Sequence, residues 1–74
     1  MIDLRFSYTT KNSGNVTEEF DTIMAFTDAI ESGDISKDIL NGTNVEAIFF
    51  ENPLSKKHFD TVQELYEHCI SIMS

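Results

Sequence analysis

Two related segments decide the fold of this chain: EFDTIMAFTDAI, residues 19–30, and HFDTVQELYEHC, residues 58–69. They align without a gap at an offset of 39 (58 − 19 = 39), and both contain Phe-Asp-Thr. The apolar positions that follow match in kind, Ile23 with Val62, Phe26 with Leu65 and Ile30 with Cys69. Each copy follows a strand-like apolar run. The chain is therefore predicted to contain two strand–strand–helix units, about residues 1–33 and 43–74.

Four strands are predicted from the alternation of apolar and polar residues. Residues 2–9 alternate strictly, which indicates a strand with one buried face. Turn-forming residues at 11–15 predict a hairpin, so a second strand returns over about Val16 to Phe20. Val45 to Glu51 is predicted as the third strand, ended by Asn52-Pro53, and Ser55 to Phe59 as a short fourth strand.

Capping residues predict where the two helices begin and end. Asp21 or Thr22 can accept a backbone N–H at the start of the first helix, and Gly33 is suited to its end. The second helix opens with a capping-box pattern, Thr61-Val62-Gln63-Glu64. Between the two units, residues 34–44 are expected to form a connection with a short helical turn.

The element order ββαββα predicts an α+β fold, a two-layer sandwich. Its antiparallel sheet has three to four strands, and both helices pack on one face. At 74 residues the chain is expected to form a single small domain, residues 1–74, with a thin margin of stability.

The third strand has more apolar residues than one sheet face can bury. Its run Ala47-Ile48-Phe49-Phe50 places large side chains on both faces of the sheet. Either Ile48 with Phe50, or Ala47 with Phe49, must then lie on the face away from the helices. The 34–44 segment either covers that face or leaves it open, and an open apolar face is typical of a dimer or partner interface.

Composition limits the possible partners and locations. Thirteen acids against five Lys and Arg give a net charge of −8, which argues against direct binding to nucleic acid or to anionic membranes. The single cysteine excludes an internal disulfide, and the N-terminal residues do not resemble a signal peptide, so a cytoplasmic location is expected. Acids are densest in one stretch, at Glu18, Glu19, Asp21, Asp28, Glu31, Asp34 and Asp38.

No residue pattern indicates chemistry. His68 and Cys69 are adjacent on a predicted helix, so their side chains diverge by about 100°, and His68 is expected to pair with Glu64. Asp34-x-Ser36-x-Asp38 is similar to the start of a calcium loop but lacks the required glycine and the final glutamate. We therefore predict no catalytic residue, no cofactor and no metal site.

These observations together predict a small acidic, non-catalytic protein-binding module: a regulator, inhibitor or adaptor, of a kind common in phages and mobile elements. Its partner is expected to be a basic protein. The candidate partner-binding residues are Ile48, Phe49, Phe50, Glu18, Glu19, Asp21, Asp28, Glu31, Asp34 and Asp38. One alternative is a nucleic-acid mimic that blocks a DNA- or RNA-binding protein. Another is a structural homodimer that buries Phe49 or Phe50.

Overall fold

Four antiparallel strands form one sheet in the computed structural model, which describes residues 2–12, 14–50 and 54–73. The strands are β1 (Leu4–Thr10), β2 (Gly14–Phe20), β3 (Thr43–Phe49) and β4 (Ser55–Thr61), in the spatial order β2-β1-β3-β4. The predicted α+β architecture with the order ββαββα is therefore confirmed. The predicted turn at Asn52-Pro53 lies outside the described residues.

Residues opposite one another form rows across the sheet, and these rows fix which side chains share a face. One row joins Phe20, Leu4, Phe49 and Ser55, and the next joins Glu19, Arg5, Ile48 and Lys56. Successive rows point to opposite sides of a sheet. The first row faces the helices (the core face), and the second lies on the opposite side, which we call the outer face.

The helices α1 (Ile23–Ser32) and α2 (Val62–Met73) begin at equivalent threonines. Thr22 Oγ1 accepts from the Ala25 amide at 3.0 Å, and Thr61 Oγ1 accepts from the Glu64 amide at 3.3 Å. Of the two caps that the sequence offered α1, the structure therefore uses Thr22. Gly33 ends α1 with φ of 85°, as predicted for a left-handed cap.

The 39-residue offset also holds for the first strand and the helix of each unit, whereas β2 and β4 begin 41 residues apart (55 − 14 = 41). β1 and β3 begin 39 residues apart (43 − 4 = 39), and so do α1 and α2 (62 − 23 = 39).

The capping box of α2 differs slightly from the expected one. Glu64 Oε1 accepts from the amide of Asp60, at 3.2 Å, one residue before the cap.

Both helices cover the core face. The largest fully buried side chains are Phe6 of β1, Phe49 of β3 and Phe26 of α1, so the core lies between the sheet and the helices. The rings of Phe6 and Phe26 meet edge to face, with centroids 5.1 Å apart. Tyr66 on α2 also donates its hydroxyl to Glu31 on α1, at 3.0 Å.

The connection between the two units contains a short 3-10 helix, Lys37–Asn41, which confirms the expected helical turn. Ile39 from this helix is 7% exposed and belongs to the core cluster. Gly42 follows this helix and lies close to the side chains of Tyr8 and Val62. Its carbonyl oxygen accepts from the Val62 amide at 3.0 Å. Because the segment packs at the end of the core, the possibility that it covers the outer face is wrong.

Candidate functional site

The outer face of the sheet carries a mixed set of apolar and charged side chains, and the helices do not cover it. Its central rows run from Glu19 through Arg5 and Ile48 to Lys56, and from Thr17 through Ser7 and Glu46 to His58. Most of these side chains are exposed, whereas Ser7 and Ile48 are half-buried. Phe50, two residues after Ile48, is also half-buried.

Arg5 organises one side of this surface. Its Nε donates to Glu19 Oε2 at 2.7 Å, while its Cζ lies 5.4 Å from the centroid of the Phe50 ring. A guanidinium within about 6 Å of an aromatic ring gains a favourable cation–π interaction. Arg5 therefore covers part of the apolar surface that Phe50 would otherwise expose.

A hollow of about 430 Å³ opens on the outer face. Its floor includes Ser7 and Ile48, and its walls bring together Arg5, Lys56, Lys57 and His58. Three of the chain's five Lys and Arg residues thus line this hollow. Glu46 also lines it and contributes a carboxylate. The lining of this hollow is therefore mainly cationic, whereas the outer face as a whole combines Arg5 and Lys56 with Glu19 and Glu46.

Sequence reasoning missed this basic surface, although its signal was present. Arg5 and Ser7 alternate with buried residues in β1, and Lys56 and His58 alternate in β4. A period of two therefore puts Arg5, Lys56 and His58 on one face. What the sequence lacks is the strand order that brings β1 and β4 to either side of β3.

The apolar candidates from β3 separate into two groups. Ile48 and Phe50 lie on the outer face, which is one of the two predicted alternatives. Phe49 is 2% exposed in the core, so its inclusion among the partner-binding residues is wrong. The reason is the pleat of the strand, which turns Phe49 towards α2 while its neighbours face outward.

The carboxylate candidates do not surround this apolar surface. Asp21, Asp28, Glu31, Asp34 and Asp38 are exposed on α1 and its flanking segments, in the layer opposite the outer face; we call them the helix-side carboxylates. Among the candidates, Glu19 alone joins Ile48 and Phe50 on the outer face. The sequence predicted one interface in which carboxylates surround the apolar patch. The structure instead places the patch and the helix-side carboxylates on two separate surfaces.

Glu18 points to the core face and lines a second hollow, of about 440 Å³. Its Oε2 accepts from the Tyr8 hydroxyl at 3.4 Å, and Asp38 lies on the opposite wall with Ile35 and Ile39. Burial raises the pKa of Tyr8, and the Glu18 carboxylate raises it further. This hollow joins apolar walls to two acids, a combination that suits the side chain of a lysine or an arginine.

Cys69 and the two histidines are placed apart. Cys69 is fully buried, and burial raises the pKa of its thiol to about 12, so the group stays protonated near neutral pH. His58 is exposed on the outer face. The ring of His68 packs against Phe59 and Phe49, at centroid distances of 5.4 and 5.7 Å, so the expected pairing with Glu64 is wrong.

Metal-ligating side chains do not converge within residues 2–12, 14–50 and 54–73, where no group of three or more His, Cys, Asp or Glu could hold an ion. In the same part of the chain, neither α1 nor α2 has the length and apolar character needed to cross a bilayer. Among the described residues, the most exposed large apolar side chain is that of Met24 on α1, at 60%.

Comparison with known proteins adds no relatives. No protein-family model, curated protein sequence or solved structure matches the chain.

Proposed function

We propose that this protein is a non-catalytic protein-binding module that docks its partner on the outer face of the sheet. The observation that carries the proposal is the hollow between β1 and β4, where Ile48 lies among Arg5, Lys56 and His58. An apolar centre with a charged rim is the usual anatomy of a protein interface. The centre contributes affinity, while the rim sets orientation and the rate of encounter.

The charge of the hollow defines the chemistry of this partner. Arg5, Lys56 and Lys57 outnumber Glu46, and Arg5 already shares its charge with Glu19. A segment with an apolar side chain and one or two acids complements that pattern. The hollow therefore favours an acidic docking segment, which differs from the basic partner expected from net charge alone.

A non-catalytic role is part of the proposal, because the nucleophile and the bases are separated. Cys69 lies in the core with a neutral thiol, His68 is held between two phenylalanine rings, and His58 is on the other side of the sheet. The proposal also places the protein in the cytoplasm, where a free thiol stays reduced.

Affinity capture with matched variants tests the docking surface. Immobilised wild-type protein is compared with Ile48→Asp and Lys56→Glu on the outer face. Met24→Asp serves as the control for an acid added to an exposed apolar position, and Lys37→Glu as the control for a reversed lysine. Circular dichroism first confirms that every variant is folded.

We expect recovery of one specific partner to fall about tenfold or more in both outer-face variants and to stay at the wild-type level in both controls, as loss of a central interface contact implies. Equal recovery by all five proteins would remove the outer face as the docking surface. Loss in Met24→Asp or Lys37→Glu alone would place the interface on the helix side.

A second candidate function is a blocker of a basic protein, including a nucleic-acid mimic, that acts through the helix side. The observation that favours it is the exposure of all five helix-side carboxylates beside the acidic hollow of Glu18 and Asp38. Such carboxylates can stand in for phosphates, and the hollow can accept a lysine or arginine. Lys37 is the basic residue among them.

Salt dependence separates the two candidates. Binding through the helix-side carboxylates should weaken steeply between about 50 and 500 mM salt, because salt screens exposed charges. Binding centred on Ile48 should change much less. The double variant Asp28→Asn/Asp34→Asn should bind the partner more weakly if the helix side is the interface. It should bind as the wild type does if the partner docks on the outer face.

The homodimer alternative now involves Ile48 and Phe50 and excludes Phe49, which is in the core. Face-to-face pairing of two outer faces would bring two copies of the cationic hollow together. Sedimentation of the wild type beside Phe50→Asp tests this alternative: a mass that falls to that of the monomer only in the variant would support it.

A further inference from the structure

We propose that copies of this chain join edge to edge, β4 of one copy beside β2 of the next, so that the sheet continues from molecule to molecule. In the order β2-β1-β3-β4, these two strands have a neighbouring strand on one side only among the residues that the structure describes. Each is seven residues long. An edge strand of this length offers backbone N–H and C=O groups to a second strand.

The directions of the strands permit this continuation. All neighbouring strands in the sheet are antiparallel, and four strands in the order β2-β1-β3-β4 leave β4 and β2 running in opposite directions. A second copy placed beside the first in the same orientation therefore presents β2 antiparallel to β4. Both helix layers then lie on the same side of the extended sheet.

The rows of the sheet fix the register of this contact. The row Phe20, Leu4, Phe49, Ser55 places Ser55 next to Phe20 of the following copy when the row is simply continued. Lys56 then meets Glu19, and Lys57 meets Glu18. His58 falls opposite Thr17. Every pair keeps its face, because the two residues of each pair belong to the same row.

Opposite charges meet in this pairing. The two lysines of β4 are exposed, and the side chain of Glu19 is 45% exposed beside Arg5. In the continued sheet Glu19 sits between Arg5 of its own copy and Lys56 of its neighbour. Opposite charges across neighbouring strands stabilise a sheet, although exposed pairs contribute little each.

Pairing of like edges matches charge less completely. Two β2 strands in full antiparallel overlap bring no basic residue opposite Glu18 or Glu19, and two β4 strands place Lys56 opposite Asp60 but Lys57 opposite Phe59. The continued sheet places a carboxylate opposite both lysines of β4. Lysines on an edge normally prevent aggregation; here they meet an edge that carries two glutamates. The contact is head to tail and forms open chains.

Sedimentation of two charge-reversed variants tests the contact. Glu18→Lys/Glu19→Lys carries lysines on both edges, and Lys56→Glu/Lys57→Glu carries glutamates on both edges. Lys11→Glu/Lys37→Glu, whose lysines lie outside β2 and β4, is the control for the change in net charge. Each protein is measured alone from about 10 µM to about 1 mM, the range in which weak contacts are populated.

We expect the average mass of the wild type and of the control to rise with concentration, and to fall back as salt is added. Each edge variant alone should remain at the mass of the monomer. An equimolar mixture of the two edge variants should associate again, because each lysine edge then meets a glutamate edge.

Two results would overturn the proposal. One is a wild-type mass that stays monomeric over the whole range. The other is association that survives in the edge variants alone or fails to return in their mixture. Recovery in the mixture also shows that both variants are folded, so loss of structure cannot imitate the expected result. Partner capture through the outer face is a separate outcome, since the continued sheet leaves that face open.

Discussion

The guanidinium of Arg5 lies over the ring of Phe50, with Cζ 5.4 Å from the ring centroid, while its Nε donates to Glu19. This relationship links the first strand to the end of the third on the outer face. It also explains why Phe50 is half-buried although the helices are on the other side of the sheet.

Arg5→Ala should expose the Phe50 ring and lower the free energy of unfolding by about 1 kcal/mol, the sum of one exposed ion pair and one cation–π contact. Chemical denaturation measures the change, and binding of a hydrophobic dye reports the exposed ring. Arg5→Lys is the control that keeps the charge, and it should lose less than Arg5→Ala. A loss well above about 3 kcal/mol would mean that Arg5 supports the core and is not a surface residue.

Neighbouring phenylalanines should differ sharply in their effect on stability. Phe49→Ala removes a ring that is 2% exposed and should cost about 3–5 kcal/mol. Phe50→Ala removes a half-buried ring from the outer face and should cost about 1 kcal/mol or less. Urea denaturation of the two variants measures the difference. The opposite order would show that the faces of β3 have been assigned the wrong way round.

Gly42 and Gly33 should both resist alanine, for different reasons. A Cβ on Gly42 would lie 2.5 Å from Cδ2 of Tyr8, whose ring is 6% exposed and has little room to move. Gly42→Ala should therefore cost about 1–3 kcal/mol by overpacking. A Cβ on Gly33 would meet no atom within 4 Å, but the residue has a φ of 85°. Gly33→Ala should therefore lower the free energy of unfolding by about 1 kcal/mol, because alanine is strained in this backbone conformation.

Combining Gly42→Ala with Tyr8→Ala distinguishes the two causes. Removing the Tyr8 ring relieves the clash, so the two substitutions together should cost less than the sum of their separate effects. Gly33→Ala combined with Tyr8→Ala should be additive within about 0.5 kcal/mol. Additive behaviour of Gly42→Ala with Tyr8→Ala would contradict the steric explanation.

Stability should depend on pH through Cys69 in the alkaline range. The folded protein holds the pKa of this thiol at about 12, whereas the unfolded chain ionises it near its usual pKa of about 8.5 to 9. Above that value the unfolded state binds fewer protons than the folded state, so stability decreases as pH rises. Below it both states are protonated and the thiol contributes no dependence on pH.

The difference in unfolding free energy between the wild type and Cys69→Ala isolates this effect, because the other titrating groups are common to both. This difference should be constant below about pH 8. Above that pH, the unfolding free energy of the wild type should fall relative to that of Cys69→Ala by roughly 1.4 kcal/mol per pH unit. Rapid modification of Cys69 by a thiol reagent in the folded protein at pH 7 would contradict the burial on which the argument rests.

Much of the fold was predictable because local signals agree with the final packing. The Phe-Asp-Thr repeat marks the same structural position twice, where a strand ends and a threonine caps the next helix. Alternation in β1 correctly placed Leu4 and Phe6 in the core. The apolar run of β3 has no alternation, so the sequence left open whether Phe49 or Phe50 faces the helices.

The candidate site was only partly predictable, because it depends on strand order. Ile48 and Phe50 were among the predicted residues, but Arg5, Lys56 and His58 come from strands that the sequence does not place beside them. For the same reason, the predicted carboxylates do not lie where the sequence suggested. Sequence proximity suggested that the acids at 18–38 surround the sheet patch, whereas five of these seven lie on α1 and its flanking segments, in the opposite layer.

NMR mapping of the bound surface tests the docking proposal most directly. Backbone amide shifts of the labelled protein are recorded with and without the partner recovered by capture. The account predicts that the largest changes occur at Arg5, Glu46, Ile48 and Lys56 on the outer face. Changes concentrated on α1, at Asp28 and Glu31, with the outer face unperturbed, would contradict it.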